Sequence, residues 1–180
     1  MITPREKGKA TVVLQDVLEE DLRVVFCGTA VGPKSAEVGA YYAGPGNKFW
    51  SILFETGLTP HILDPHEFRT LTKFGIGLTD VVKSQAGTDR RISRATEDDI
   101  ANFHAKIEEH APKAVAFNGK KAATWFYNVK STSLVDYGCQ PERIGQTTVF
   151  ILPSTSAASG HWDESPWHEL AEFLRASEEA

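Results

Sequence analysis

Cysteine is scarce in this 180-residue chain, and the two present, Cys27 and Cys139, stand far apart without metal-ligand spacing. That argues against a disulfide framework or a zinc site and predicts two reduced thiols in a cytosolic protein. Long hydrophobic runs are missing as well. None approaches the roughly 20 residues that cross a bilayer, so no membrane partner is expected. The opening Met1-Ile-Thr-Pro-Arg-Glu-Lys7 has no apolar stretch of the secretory kind. Nor is positive charge in excess. With 19 Lys and Arg against 24 Asp and Glu, the net charge is -5. Bulk attraction to a polyanion is therefore disfavoured, and phosphate contacts would need local Lys and Arg. Repeats, low-complexity tracts and an interdomain linker are lacking too.

What is there suits one domain spanning 1–180. Hydrophobic residues make up 41% and charged ones 24%, ordinary globular values in a chain long enough to bury a substantial core. Positive charge is local: Lys83, Arg90, Arg91 and Arg94 fall close together, and Lys113, Lys120 and Lys121 form a second group. Solvated surface and DNA contact are both open readings of such clusters.

Three nearly continuous apolar segments, Leu22–Cys27, Ala114–Phe117 and Thr147–Leu152, read as strands covered on both faces, as in a parallel sheet. Gly75–Val82 reads as a shorter extended piece with a turn after it. Between them, helices are predicted from near Asn47, over Asp98–His110 and over Lys120–Tyr127, with a last one over Pro166–Arg175. Strands alternating with helices argue an α/β layer fold. Ligands in such sheets gather beyond the carboxyl ends of the strands. That rule selects the loops after Cys27, Phe117 and Leu152, with the Asp80 segment as a fourth.

Each loop carries a chemical reading and a plainer one. Gly28-Thr-Ala-Val-Gly32-Pro-Lys34-Ser35 can present backbone amides to an anion, or simply turn; its spacing matches neither the Walker loop nor the dinucleotide fingerprint. In Tyr41-Tyr42-Ala-Gly-Pro-Gly-Asn47, Asn47 is placed to cap the helix that follows, and Tyr42 to stack on a flat base. Asn118 is either an amide that reads a base or a turn residue before Gly119. Ser154-Thr155-Ser156-Ala157-Ala158-Ser159-Gly160-His161 holds small hydroxyl donors suited to phosphate oxygens, or is a surface turn.

Taken in order, Val25-Phe-Cys-Gly28, Gly44-Pro-Gly-Asn-Lys-Phe-Trp50, Lys73-Phe-Gly-Ile-Gly-Leu-Thr79, Phe117-Asn-Gly-Lys120, Gln140-Pro141 and Leu152-Pro-Ser-Thr-Ser156 resemble the mismatch-specific uracil and thymine DNA glycosylases. The resemblance runs through most of the chain. It implies a three-layer α/β/α domain around a short, mainly parallel sheet, with no metal and no organic cofactor. It further implies a monomer of the bacterial cytoplasm. Its partner would be double- or single-stranded DNA with a deaminated base, flipped into a pocket for hydrolysis of its N-glycosidic bond. On that reading Thr29 and Ala30 face the glycosidic bond and Tyr42 lies beside the flipped base. Asn47 holds its loop, and Asn118 reads the base. Lys34, Ser35, Lys120, Ser154, Thr155, Ser156 and His161 meet DNA, and Ala158 stands at the wedge position.

One departure bears on mechanism. The family usually reads Gly-Ile-Asn-Pro-Gly where this chain has Gly28-Thr-Ala-Val-Gly32, so the water-positioning Asn falls on Ala30. A methyl group cannot hold a water. Asp80 is the candidate replacement, as a carboxylate that orients or deprotonates the water; a turn-capping Asp is the plainer reading. Removal of uracil is the leading expectation. Removal of another deaminated base such as hypoxanthine, damage recognition without cleavage, and an unrelated enzyme of a phosphorylated small substrate are the alternatives.

Overall fold

The computed structural model describes residues 11–180; the leader-free reading of Met1–Lys7 lies outside them. Five strands form one sheet in the order β2-β1-β3-β5-β4, with β1 Val24–Gly28, β2 Ile76–Asp80, β3 Ala114–Asn118, β4 Gly138–Ile144 and β5 Thr147–Leu152. The first four in that order are parallel, and β4 runs antiparallel at the edge. The helices are α1 Pro33–Val38, α2 Phe49–Glu55, α3 Glu97–His110, α4 Lys120–Phe126 and α5 Ser165–Glu179.

Side chains alternate across each strand, and both sets are buried. Val24, Phe26, Ile76, Leu78, Ala116 and Phe150 face one core layer with Phe49 and Leu53 of α2 and Trp167 and Leu170 of α5. Val25, Cys27, Val115, Phe117 and Ile151 face the other, under Phe103 and Ile107 of α3 and Ala122 and Trp125 of α4. A sheet with both faces covered has no use for polar alternation, which explains why its central strands read as apolar runs. The expected three-layer α/β/α arrangement is what the chain adopts.

Three elements depart from the sequence reading. The strand β4 is strongly polar and carries Pro141 inside a register irregularity between Cys139 and Arg143. Proline is tolerated there because an edge strand need not donate every amide. The segment Pro65–Phe74 winds as a 3-10 helix behind an Asp64–Glu67 capping box. The glycine-rich first loop also contains α1, opened by Pro33 at a position where its missing N–H costs nothing. Lys48, not Asn47, occupies the N-cap of α2 and makes no side-chain cap; Asn47, one residue earlier, satisfies the first helical amide instead, its Oδ1 accepting from Phe49 N at 3.0 Å.

Candidate active site at the carboxyl edge of the sheet

The four parallel strands deliver Gly28, Asp80, Asn118 and Leu152 to one edge, with Gly28 opposite Asp80 and Asn118 opposite Leu152. The loops selected from the sequence therefore meet. Beyond the strands, the first loop and the Asp80 segment stay side by side: Val81 N donates to Gly28 O (3.0 Å), Val82 N to Thr29 O (2.8 Å) and Gly87 N to Val31 O (3.0 Å). Thr29 Oγ1 adds a 2.6 Å hydrogen bond to Asp89. Ala30 is half-buried against the α3/α4 core layer.

Asp80 is the unusual group. Its side chain is only 4% exposed, Oδ1 is set against Gly28, and Oδ2 has no hydrogen-bond partner among the described residues. Lys83 Nζ lies 3.8 Å from that oxygen, a charge contact too long for a hydrogen bond. Burial pushes the Asp80 carboxyl up to about 6, with Asp16 adding to the rise and Lys83 and Lys106 opposing it. Tyr42 lies beside it: a methyl on Gly28 would have Asp80 Oδ1 at 2.7 Å and Tyr42 Oη at 3.7 Å. The Tyr42 backbone takes φ +50°, a conformation costly for a bulky residue. Its ring stacks on Phe49 at 4.0 Å and 26°. Its hydroxyl is buried and makes no well-formed hydrogen bond among the described residues, although the Asn118 amide is close by. Burial pushes that phenol well up, so it stays neutral.

Asn118 clamps the last loop with both ends of its amide. Nδ2 donates to Thr155 Oγ1 at 2.9 Å, and Oδ1 accepts from Thr155 N at 3.0 Å. Thr155 O in turn accepts from Lys48 N at 2.9 Å, tying the Tyr42–Asn47 loop to Ser154–Ser156. Ser154 Oγ and Ser156 Oγ accept from Ser156 N and Ala158 N. Ala158 and His161 are exposed at the loop tip, and His161 stacks on Tyr137, whose ring also lies 4.4 Å from Lys120 Nζ.

Some expected DNA contacts sit elsewhere. Ser35 is 5% and Thr155 1% exposed. The Ser35 hydroxyl accepts from Ala43 N at 3.0 Å, so both residues shape loops rather than front them. Lys34 is exposed and pairs with Glu37. The basic groups divide as well. Lys113 precedes β3 and reaches Ser177 O at the opposite edge, while Lys120 and Lys121 follow that strand; five residues of strand, about 17 Å, separate them. Lys83 is half-buried, and only Arg90, Arg91 and Arg94 of its cluster are exposed. A cleft of about 480 Å³ opens beside Tyr42, Asn47 and Trp50, and Asp80 does not line it.

A covered, mostly parallel sheet with a buried carboxylate at its carboxyl edge defines an α/β domain whose ligand crevice lies outside the strand ends. Residues 15–176 match the family model of the uracil DNA glycosylase superfamily. The chain belongs to that superfamily, whose members are DNA glycosylases, hydrolases acting on DNA in repair. The fold is also similar to a solution NMR structure from Methanosarcina acetivorans, provisionally described as a uracil DNA glycosylase. That match has a TM-score of 0.62 at 22% identity, covering 92% of this chain and 96% of the other.

Proposed function

We propose that this chain removes uracil from DNA, with Asp80 as the residue that orients the attacking water and takes its proton. The observation that carries this reading is the buried Asp80 carboxylate, with Oδ1 against Gly28 and Oδ2 without a hydrogen-bond partner among the described residues, in a site where Ala30 offers nothing to hold a water. In the step itself the water oxygen forms a bond to the sugar C1′. The glycosidic C–N electron pair leaves with the base, and the proton passes to Asp80 and then to the departing base or solvent. The negative carboxylate also offsets positive charge developing on the sugar. Flipping a nucleotide costs a few kcal/mol and is cheapest at a mismatch. Tyr42 supplies a rigid ring beside the base, and Asn47 and Asn118 fix the two loops around it. Exposed Ala158 and His161, with Ser154, Ser156 and Lys120, form the surface that meets the strand.

The test is single-turnover base release with protein in excess, on duplexes holding G·U, A·U, G·T or hypoxanthine and on single-stranded uracil DNA. Release is expected from the uracil substrates, and loss of it in Asp80→Asn. Release from hypoxanthine alone moves the substrate to a purine. Binding without release from every substrate makes the chain a damage-recognition protein.

A further inference from the structure

We propose that Lys83 is a positioning residue for Asp80: a largely buried cation, pinned by Asp16 and Tyr41, that keeps the Asp80 carboxylate ionised without hydrogen-bonding to either of its oxygens. This rests on the role given to Asp80 above.

The geometry is that of a held charge. Lys83 Nζ is 2.8 Å from Asp16 Oδ1 and 3.1 Å from Tyr41 Oη, and lies 5.7 Å from the centre of the Tyr41 ring. Asp16 is itself fixed, accepting from Thr79 Oγ1 at 2.8 Å and pairing with Lys106 of α3 at 2.6 Å. Lys83 therefore cannot swing onto Asp80 without giving up partners. At 3.8 Å it attracts the carboxylate and does not occupy its oxygen. A lysine in direct contact would have blocked the position a water needs.

The charges close around this arrangement. The groups facing Asp80 are Lys83 from its own loop, Asp16 from the segment before β1, Lys106 from α3, Cys27 from β1, and Tyr41 and Tyr42 from the loop before α2. Burial pushes Cys27, Tyr41 and Tyr42 up, so none of them carries charge near neutral pH. Two ammonium groups then face two carboxylates, and the cluster is neutral only when Asp80 is ionised. Without Lys83, the buried Asp80 and the half-buried Asp16 carboxylates would share one cation, and the more buried Asp80 would take up a proton. Asp16 works in the opposite sense, since its charge raises Asp80 and holds Lys83 away.

Two variants of opposite sign test this. The Asp80 carboxyl carbon is titrated by NMR in DNA-free wild type, Lys83→Met, Lys83→Arg and Asp16→Asn, and single-turnover release from G·U DNA is followed from pH 5 to 9. Lys83→Met should raise both midpoints by about one pH unit or more, cutting release about fivefold or more near pH 6 and restoring it by pH 9. Lys83→Arg should stay near wild type, and Asp16→Asn should shift both midpoints down. An unshifted NMR midpoint in Lys83→Met, or rates lowered by one factor at every pH, would overturn the proposal and leave Lys83 a structural ion pair. If Lys83→Met fails to fold by thermal melting, the sign of the Asp16→Asn shift decides. Full activity in Asp80→Asn sinks the role of Asp80 instead, whatever the NMR midpoints show.

Discussion

Gly28 and Asp80 are register partners on β1 and β2, and they approach so closely that a methyl on Gly28 would lie 2.7 Å from Asp80 Oδ1. The glycine is needed there for the space it leaves. Gly28→Ala must push the carboxylate aside. It should cost about 1–3 kcal/mol from overpacking and lower single-turnover release about a hundredfold, as displacements near 1 Å can. Melting curves and base release on the same preparation check it. A variant with wild-type release would show that the carboxylate position does not matter to the reaction.

Asp80 should also make the protein less stable than it could be. Burial lifts its carboxyl from 3.8 to about 6. Between those values the folded state binds more protons than the unfolded one. The stability linked to this group is therefore present below about pH 4 and lost as the pH rises through about 6. Two pKa units correspond to about 3 kcal/mol, an upper figure. Asp80→Asn keeps the shape without the charge. It should melt several degrees higher than wild type at pH 8 and about level with it at pH 4, while losing activity. A lower melting point at pH 8 would mean that the pairing with Lys83 outweighs the cost of burying the carboxylate.

The central strands and the meeting of their loops were legible in the sequence because both follow from local pattern. Apolar runs such as Val24–Cys27 mark strands covered on both faces, and the carboxyl-end rule gathers Gly28, Asp80, Asn118 and Ser154 from the sequence alone. The partners of Asp80 were not legible. Lys83 looks like one member of a basic surface run, yet it turns inward to Asp16 and Tyr41, 67 and 42 residues away along the chain. Such pairings leave no trace in spacing. Nor did composition separate Lys113 from Lys120, since only the direction of β3 sends them to opposite edges. The edge strand β4 escaped because its pairing comes from the turn at Gly145, which has φ +57°, and not from any apolar alternation.

Asn118 holds Thr155 by two hydrogen bonds, and Thr155 is 1% exposed. Asn118→Ala would strand a buried amide and a buried hydroxyl, costing about 1–3 kcal/mol and loosening the loop that carries Ser154 and Ser156. Asn118→Asp keeps the acceptor for Thr155 N and lets the Thr155 hydroxyl turn to donate. Chemical denaturation should therefore place Asn118→Asp nearer wild type than Asn118→Ala. If base release nevertheless falls equally in both, the amide is needed at the base as well as at the loop. If release follows stability, the clamp is its whole role.

Tyr42 separates a binding role from a folding role in one atom. Its hydroxyl is buried without a well-formed hydrogen bond among the described residues, while its ring is stacked on Phe49. Tyr42→Phe removes only the oxygen, so the free protein should be as stable as wild type or up to about 1 kcal/mol more so, an unpaired polar group being a cost and not a support. Release of uracil should fall about tenfold if the hydroxyl donates to the base or the water in the complex, since one such hydrogen bond is worth about 1.4 kcal/mol in the barrier. Burial keeps the phenol protonated across the working range, so this loss should be the same at pH 6 and pH 9. That flat dependence sets it apart from the pH-dependent loss expected of Lys83→Met. A Tyr42→Phe protein that melts clearly lower would mean that the hydroxyl already has a partner before DNA binds.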